Sequence, residues 1–265
     1  VIHALSETGV RALRDAASQP LLYAFDFDGT LAPISRDRHA VAVSDSTLQS
    51  LGALSQRAPC AIVTGRALAD VAMRINGYVP HLIGNHGIES PLTAPSVLIE
   101  AERTCATWKQ QLQSSLPMTS LGADIEDKRY SLTVHFRGAQ NPADVGMAAL
   151  AALRRLRPAP QLIEGKYAIN VLPPGQSGKG LATLALMKHL GRTGLFYIGD
   201  EETDETVFSL GKIVTMGVRV GRVDGSRAGF YLHGQAEVEG LLRLLVQWMG
   251  GPPPSSEVAN GPTES

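Results

Sequence analysis

Apolar and polar positions along this chain follow two rhythms. Short apolar runs recur at Leu21 to Phe25, Ala58 to Val63, Leu195 to Ile198 and Ile213 to Val218. The first three end in polar turns: Asp26-Phe27-Asp28-Gly29-Thr30, Thr64-Gly65-Arg66 and Gly199-Asp200. Helical spacing follows each turn. Leu48, Leu51 and Leu54 mark a helix over Asp45 to Ser55, with Ser44 or Asp45 as N-cap. Another is predicted near Ala67 to Ile75, and a further one after Asp200. Shorter helical stretches are predicted at Val10 to Ala17 and Leu181 to Leu190. Strand, polar turn and helix in repetition predict a parallel sheet with helices on both faces. In such sheets ligands sit outside the carboxyl ends of the strands, so Asp26, Thr64 and Asp200 are expected to meet.

The middle of the chain has a different rhythm. From Tyr130 to Arg137, Tyr130, Leu132, Val134 and Phe136 alternate with Ser131, Thr133, His135 and Arg137. That period of two predicts an antiparallel strand with one wet face. Lys166 to Leu172 is a similar segment, and Ala143 to Leu156 reads as an amphipathic helix. The expected fold is therefore α/β, a Rossmann-like parallel-sheet core with an inserted α+β cap. Residues 1–89 and 176–249 are assigned to the core and 90–175 to the cap. Two layers facing each other over one set of strand ends suggest a cap that closes on substrate. The Gly, Pro and Ser-rich stretch 250–265 is expected to be a disordered tail.

Composition narrows the function classes. A formal net charge of -1 provides no basic field for nucleic acid. Cys60 and Cys105 make no disulfide framework and no zinc pattern, which fits a reducing, cytoplasmic setting. No apolar run approaches a membrane span, and Val1 to Arg14 lacks signal-peptide anatomy. The oligomeric state has no signature here.

The chemistry concentrates at the strand ends. Asp26 and Asp28 close a buried run, where charge is costly without compensation, and a divalent cation would compensate them. Gly29 turns the chain, so Asp28 can offer its backbone carbonyl to the metal and keep its carboxylate free. Two such carboxylates suit phosphoryl transfer with one as nucleophile and the other as acid and base. A bare turn after a strand is the competing reading. The Thr64 hydroxyl and the N–H groups after it can hold a phosphoryl oxygen, although Thr-Gly pairs are common. Lys179 sits in Gly175-Gln176-Ser177-Gly178-Lys179-Gly180, before the second glycine, so the Walker spacing fails. A cation at a helix N-terminus is unfavourable, so either an anion offsets Lys179 or it is a solvated surface residue. Residues 200–205 hold five acids in six positions. Capping and the helix dipole account for about three of them; Asp200, directly after the strand glycine, suits a metal ligand.

In order along the chain, these four motifs resemble the haloacid dehalogenase superfamily of phosphatases. Gly84-Asn85-His86-Gly87, Glu126-Asp127-Lys128, Gly165-Lys166 and the acidic run from Asp200 narrow the likeness to the trehalose-6-phosphate phosphatase family, over roughly residues 20–245. The resemblance implies Asp26 as nucleophile and Asp28 as general acid and base. It implies Mg²⁺ held by Asp26, the Asp28 carbonyl and Asp200. Thr64 and Lys179, with Gly65 and Arg66 beside them, would bind the phosphoryl group, and Glu201 and Asp204 would stand behind the metal site. Glu126 and Lys128 in the cap, with Lys166, would hold sugar hydroxyls. His86 falls either near the cap hinge or in an ordinary loop. Glu201 stands where the family has a second Asp. Asn170 stands where the family has a sugar-binding Glu, exchanging an acceptor of two hydroxyls for an amide that accepts and donates. The expected substrate is a sugar phosphate, trehalose 6-phosphate first. The alternatives are a glucosylglycerol or glucosylglycerate phosphate, a weakly catalytic sugar-phosphate sensor, or a mutase.

Overall fold

The computed structural model describes residues 1–35, 37, 39–115, 122–165, 167–175 and 178–250. Lys166, and the expected tail beyond Gly250, lie outside the described residues.

The core is built on strands β1 (Ile2–His3), β2 (Leu21–Phe25), β3 (Cys60–Val63), β4 (His81–Ile83), β9 (Gly194–Gly199), β10 (Val214–Val220) and β11 (Phe230–Leu232). They form one sheet of seven strands in the order β1-β11-β10-β9-β2-β3-β4. Every neighbouring pair is parallel. All five residues of β2 are buried, as an unbroken apolar run in a sheet covered on both faces should be. Leu21, Tyr23 and Phe25 join one hydrophobic cluster, shared with helices α1 (Glu7–Ala17), α2 (Asp45–Ser55), α3 (Leu68–Ile75) and α8 (Val238–Trp248). Leu22 and Ala24 join the other, against α6 (Gly178–His189) and α7 (Glu205–Phe208). The chain leaves β2 for β3 and β4 on one side and later fills β9, β10 and β11 on the other. Strand order thus reverses at β2, which opens a crevice above its carboxyl end.

Between β4 and α6 lies a second sheet, of four antiparallel strands in the order β5-β6-β8-β7. Its strands are β5 (Asp124–Asp127), β6 (Leu132–His135), β7 (Gln161–Glu164) and β8 (Ala168–Leu172). Helices α4 (Pro95–Ser115) and α5 (Pro142–Leu153) cover one face, where Trp108, Leu132, Val134, Leu153 and Val171 form a separate core. The opposite face is wet only in part: His135 is partly exposed and Arg137 exposed. Ser131 and Thr133 are buried. This face reaches the strand-end loops of the large sheet: the Ser131 hydroxyl donates to Asn85 Oδ1, and Lys128 Nζ donates to the Gly65 carbonyl at 2.9 Å. Alternating polarity reports which residues avoid the apolar core, and here one end of the polar row is covered by a polar surface instead of water. Among the described residues no helix is long and apolar enough to cross a membrane.

Candidate active site

The site assembles at the carboxyl ends of β2, β3 and β9. The Asp26 N–H donates to the Ile198 carbonyl at 2.9 Å, carrying the β2–β9 ladder one residue past β2. The chain then turns tightly, with Leu31 and Ala32 N–H groups on the Phe27 carbonyl at 2.9 and 3.0 Å. Gly29 takes φ +77°, and a Cβ there would lie 2.1 Å from Asp200 Oδ2. Only glycine meets both demands. The turn thereby brings the backbone beside Asp28 against the carboxylate at the end of β9.

Asp26 is 2% exposed and its two oxygens differ. Oδ1 accepts from Lys179 Nζ at 2.7 Å. Oδ2 is buried with no hydrogen-bond partner. Lys179, in the first turn of α6, is fully buried and donates also to Asp204 Oδ1 at 2.9 Å. Burial opposes its charge, but Asp204 and Asp26 outweigh that and hold the ammonium pKa well above its usual range. These carboxylates also offset the helix dipole, which disfavours a cation at this end. Asp204 is already engaged on both oxygens. Its Oδ1 takes the Tyr197 hydroxyl at 2.7 Å as well as Lys179, and its Oδ2 takes the Glu201 N–H at 2.9 Å.

Asp26, Asp200 and Asp204 each offer an oxygen within 4.8 Å of the others. Glu201 adds a fourth carboxylate, with an oxygen 4.0 Å from Lys179 Nζ. One lysine faces four acids. Burial, then Glu201 and Asp204, push the Asp200 carboxyl up to about 7. Burial raises Asp26 well above the carboxylate range, against the pull of Lys179. A buried carboxylate oxygen without a donor, next to a second underpaired carboxylate, fits a hard cation with oxygen ligands. Asp26 and Asp200 are the side chains placed to hold it.

Asp28 does not keep its carboxylate free. Arg66 Nε and Nη2 reach its two oxygens at 2.7 Å each, and Arg66 Nη1 reaches Asp70 at 2.7 Å. Arg66 also lies over the Phe27 ring at 5.5 Å. Thr64 is buried at the end of β3, and its Oγ1 accepts the Arg66 N–H at 3.1 Å, so the hydroxyl proton is available for an anion. Arg66 therefore grips Asp28 instead of presenting an uncommitted guanidinium.

The smaller sheet contributes a row of polar residues. Glu126, Thr133 and Asn170 are directly opposite one another across β5, β6 and β8. Thr133 Oγ1 donates to Asn170 Oδ1 at 2.8 Å, which directs the Asn170 amide N–H groups elsewhere. Glu126 pairs with His135 Nε2 at 2.7 Å. Lys128, in the β5–β6 turn, spans to the Gly65 loop. Burial lowers its pKa, opposed by Glu126, Glu201 and Asp28. His86 lies in the turn after β4 with φ +55°, a strained conformation for a side-chain-bearing residue. Its ring is buried, neither nitrogen makes a hydrogen bond of good geometry, and the Asn170 side chain is the polar group that approaches it. A Cβ on Gly65 would be 2.5 Å from the ring, so the Gly65 backbone packs directly on the imidazole. Burial, then Lys128 and Lys179, hold His86 neutral.

Several participants escaped the sequence reading. Tyr197 sat inside an apolar run, and only its buried hydroxyl on Asp204 shows its role. His135 was assigned to a wet face. Thr30 donates to Asp200 Oδ1 at 3.4 Å from the same turn as Asp28. Arg219 in β10 holds the Asp200 and Glu201 carbonyls at 2.7 and 2.9 Å. Thr30 closes the Asp26–Thr30 motif but meets its partner 170 residues away, and Tyr197, His135 and Arg219 have no motif because their partners lie on other elements.

The family described as trehalose-phosphatase matches residues 24–229. A trehalose-phosphate phosphatase of Mycobacterium tuberculosis is 32% identical over 210 residues, 73% of this chain and 52% of that protein. A trehalose 6-phosphate phosphatase of Zea mays is 28% identical over 268 residues, covering 91% of this chain and 74% of the relative. The chain spans about half the length of the mycobacterial relatives. In fold it is similar to the C-terminal domain of Candida albicans trehalose-6-phosphate phosphatase, with a TM-score of 0.72 at 23% identity, over 93% of this chain and 98% of that one.

Proposed function

The chain belongs to the trehalose-phosphatase family, and from that premise we propose that it hydrolyses trehalose 6-phosphate with Mg²⁺, through an aspartyl-phosphate on Asp26. The observation that supports this reading most is the Asp26 carboxylate: one oxygen fixed by buried Lys179, the other buried with no donor, and Asp200 beside it. Asp26, Asp200 and the Asp28 backbone carbonyl would hold the cation. When bound, Mg²⁺ supplies positive charge against the phosphoryl oxygens and the crowded carboxylates.

The residues of this chain divide the work. The Asp26 carboxylate attacks phosphorus while the bond to the sugar oxygen breaks, and Asp28 gives that oxygen its proton. Asp28 then takes a proton from the water that attacks phosphorus and releases phosphate, restoring the Asp26 carboxylate. Lys179 and the Thr64 hydroxyl take phosphoryl oxygens. In its pairing with Arg66, Asp28 only accepts hydrogen bonds. To donate, it must carry a proton on one of the two oxygens that Arg66 holds, which weakens the Arg66 bond to that oxygen. We expect Asp28→Asn to slow phospho-enzyme formation from a sugar phosphate by about 10²–10⁴-fold, the usual worth of a positioned acid. An aryl phosphate, whose leaving group needs little protonation, should lose much less in that step in rapid-quench experiments. Equal losses would remove Asp28 as the acid.

The sugar would lie between the strand ends and the row Glu126, Thr133, Asn170, with Lys128 and neutral His86 at the seam. Asn170 favours a second reading, the same chemistry on another glycosyl phosphate such as a glucosylglycerol or glucosylglycerate phosphate, because its amide presents donors. Phosphate release with Mg²⁺ across a panel of sugar phosphates tests both. Trehalose 6-phosphate should give the highest kcat/KM, and chelator should abolish it. Glu126→Ala and Lys128→Ala should each lower kcat/KM for the sugar phosphate by roughly tenfold or more, because a sugar hydroxyl is left without its partner in the site. Activity on an aryl phosphate should barely change. A panel with no turnover would leave a sensor.

A further inference from the structure

A second constellation lies away from the phosphoryl site. His3, at the end of β1, His233, just after β11, and Glu237, at the start of α8, each direct one ligand-type atom to a common point, all within 4.8 Å of one another. The parallel register of the edge pair creates it. His3 is opposite Tyr231, and His233 follows two residues on, so both imidazoles stand at the same end of neighbouring strands. Their ring centroids are 4.4 Å apart. Tyr231 packs on both rings, at 5.4 Å from each, and limits where they can turn. Glu237 Oε2 accepts from His3 Nε2 at 3.0 Å and from the His233 backbone N–H at 2.8 Å. The His233 N–H fixes the carboxylate toward the histidine pair. Burial works to raise the Glu237 carboxyl, but the His3 and His233 hydrogen bonds outweigh it and keep it ionised.

We propose that His3, His233 and Glu237 form a binding site for a divalent transition metal of the Zn²⁺ class. Two imidazoles and one carboxylate are the donors such ions prefer, whereas Mg²⁺ prefers oxygen. His3 and Glu237 are partly exposed and His233 is exposed, so water can complete the coordination shell. The site is separate from the phosphoryl site. β11 and β2 are separated by β10 and β9, three strand spacings or about 14 Å. A metal here would join three elements that otherwise meet through few bonds: the two-residue edge strand β1, the end of β11 and the N-terminal turn of α8. Its role would be to pin the edge of the sheet, because the site contains no nucleophile and no water-excluding pocket. Gln235, within the same loop, donates to the Leu31 carbonyl at 3.4 Å, so the pinned edge also borders the turn that carries Asp28.

Zn²⁺ titration in competition with a chromophoric chelator tests the site. It is run on the wild-type chain and on Asp26→Asn, which weakens the carboxylate site. Both should bind one Zn²⁺ that excess Mg²⁺ does not displace. In either background, His3→Ala or His233→Ala should weaken that Zn²⁺ by about a hundredfold or more, since losing even an outer partner of a metal ligand costs about 10–100-fold. All variants should keep the far-ultraviolet circular dichroism of their parent, and those in the wild-type background should keep Mg²⁺-dependent turnover. As a check independent of substitution, Zn²⁺ should shift the imidazole ¹⁵N resonances of His3 and His233 in the wild type. Unmoved imidazole resonances, or equal Zn²⁺ affinity in the His3→Ala/His233→Ala double variant, would overturn the proposal and leave an ordinary His3–Glu237 ion pair.

Discussion

Asp26→Asn should leave a folded chain with no measurable turnover, at least about 10⁴-fold below wild type, because an amide cannot attack phosphorus and nucleophile losses in covalent catalysis are of that order or larger. The fold should tolerate the exchange. Asn is nearly isosteric, its carbonyl can still accept from Lys179 Nζ, and Oδ2 has no hydrogen bond to lose. The substituted amide brings an N–H₂ toward Asp200, whose carboxylate can accept it. Thermal stability should therefore hold while the phospho-enzyme fails to form. Rapid-quench trapping with radiolabelled sugar phosphate separates these outcomes. Label bound covalently to the Asp26→Asn chain, with deamidation excluded by mass spectrometry, would place the nucleophile elsewhere.

What the sequence showed, and what it hid, follows from the range of each interaction. The buried strands of the large sheet were legible because an unbroken apolar run at Leu21–Phe25 or Gly194–Gly199 has few alternatives. The edge strands β5 and β7 were not. Asp124–Asp127 and Gln161–Glu164 are short, begin and end in exposed polar residues, and extend only because β6 and β8 lie beside them. The long helix Pro95–Ser115 also went unread, since its covered stripe is interrupted by polar residues. At the site, the acids and the lysine were legible as chemistry without geometry. That Lys179 needs an anion followed from its place at a helix start. That the anions are both Asp26 and Asp204, and that Arg66 spends its fork on Asp28, depends on contacts 153, 25 and 38 residues apart in sequence. The buried polar row Ser131–Thr133 was misjudged for the same reason: alternation cannot say whether water or another polar surface covers the second face.

The second large effect is expected at Lys179, and it reaches stability as well as turnover. Lys179→Met keeps most of the length and the apolar character of the stem and removes the charge and its donors. Asp26 and Asp204 then remain buried with their main counter-charge gone, and Asp204 keeps only the Tyr197 hydroxyl and the Glu201 N–H. Removing one partner of a buried ion pair costs about 3–5 kcal/mol, because the remaining charge is left uncompensated. For a chain of this size that lowers the melting temperature by roughly 10 °C. The sign can be checked in two ways. Adding Asp204→Asn to Lys179→Met removes one stranded charge and should recover part of the lost stability without restoring turnover, since the phosphoryl group still lacks its lysine. Excess Mg²⁺ should raise the melting temperature of Lys179→Met more than that of the wild type, because a cation beside Asp26 and Asp200 replaces compensation that the wild type already has. A Lys179→Met chain as stable as wild type, and indifferent to Mg²⁺, would mean that these carboxylates are neutralised by protons and not by the lysine. The polarity of the whole site, with Asp26 as the attacking carboxylate, would then need to be drawn again.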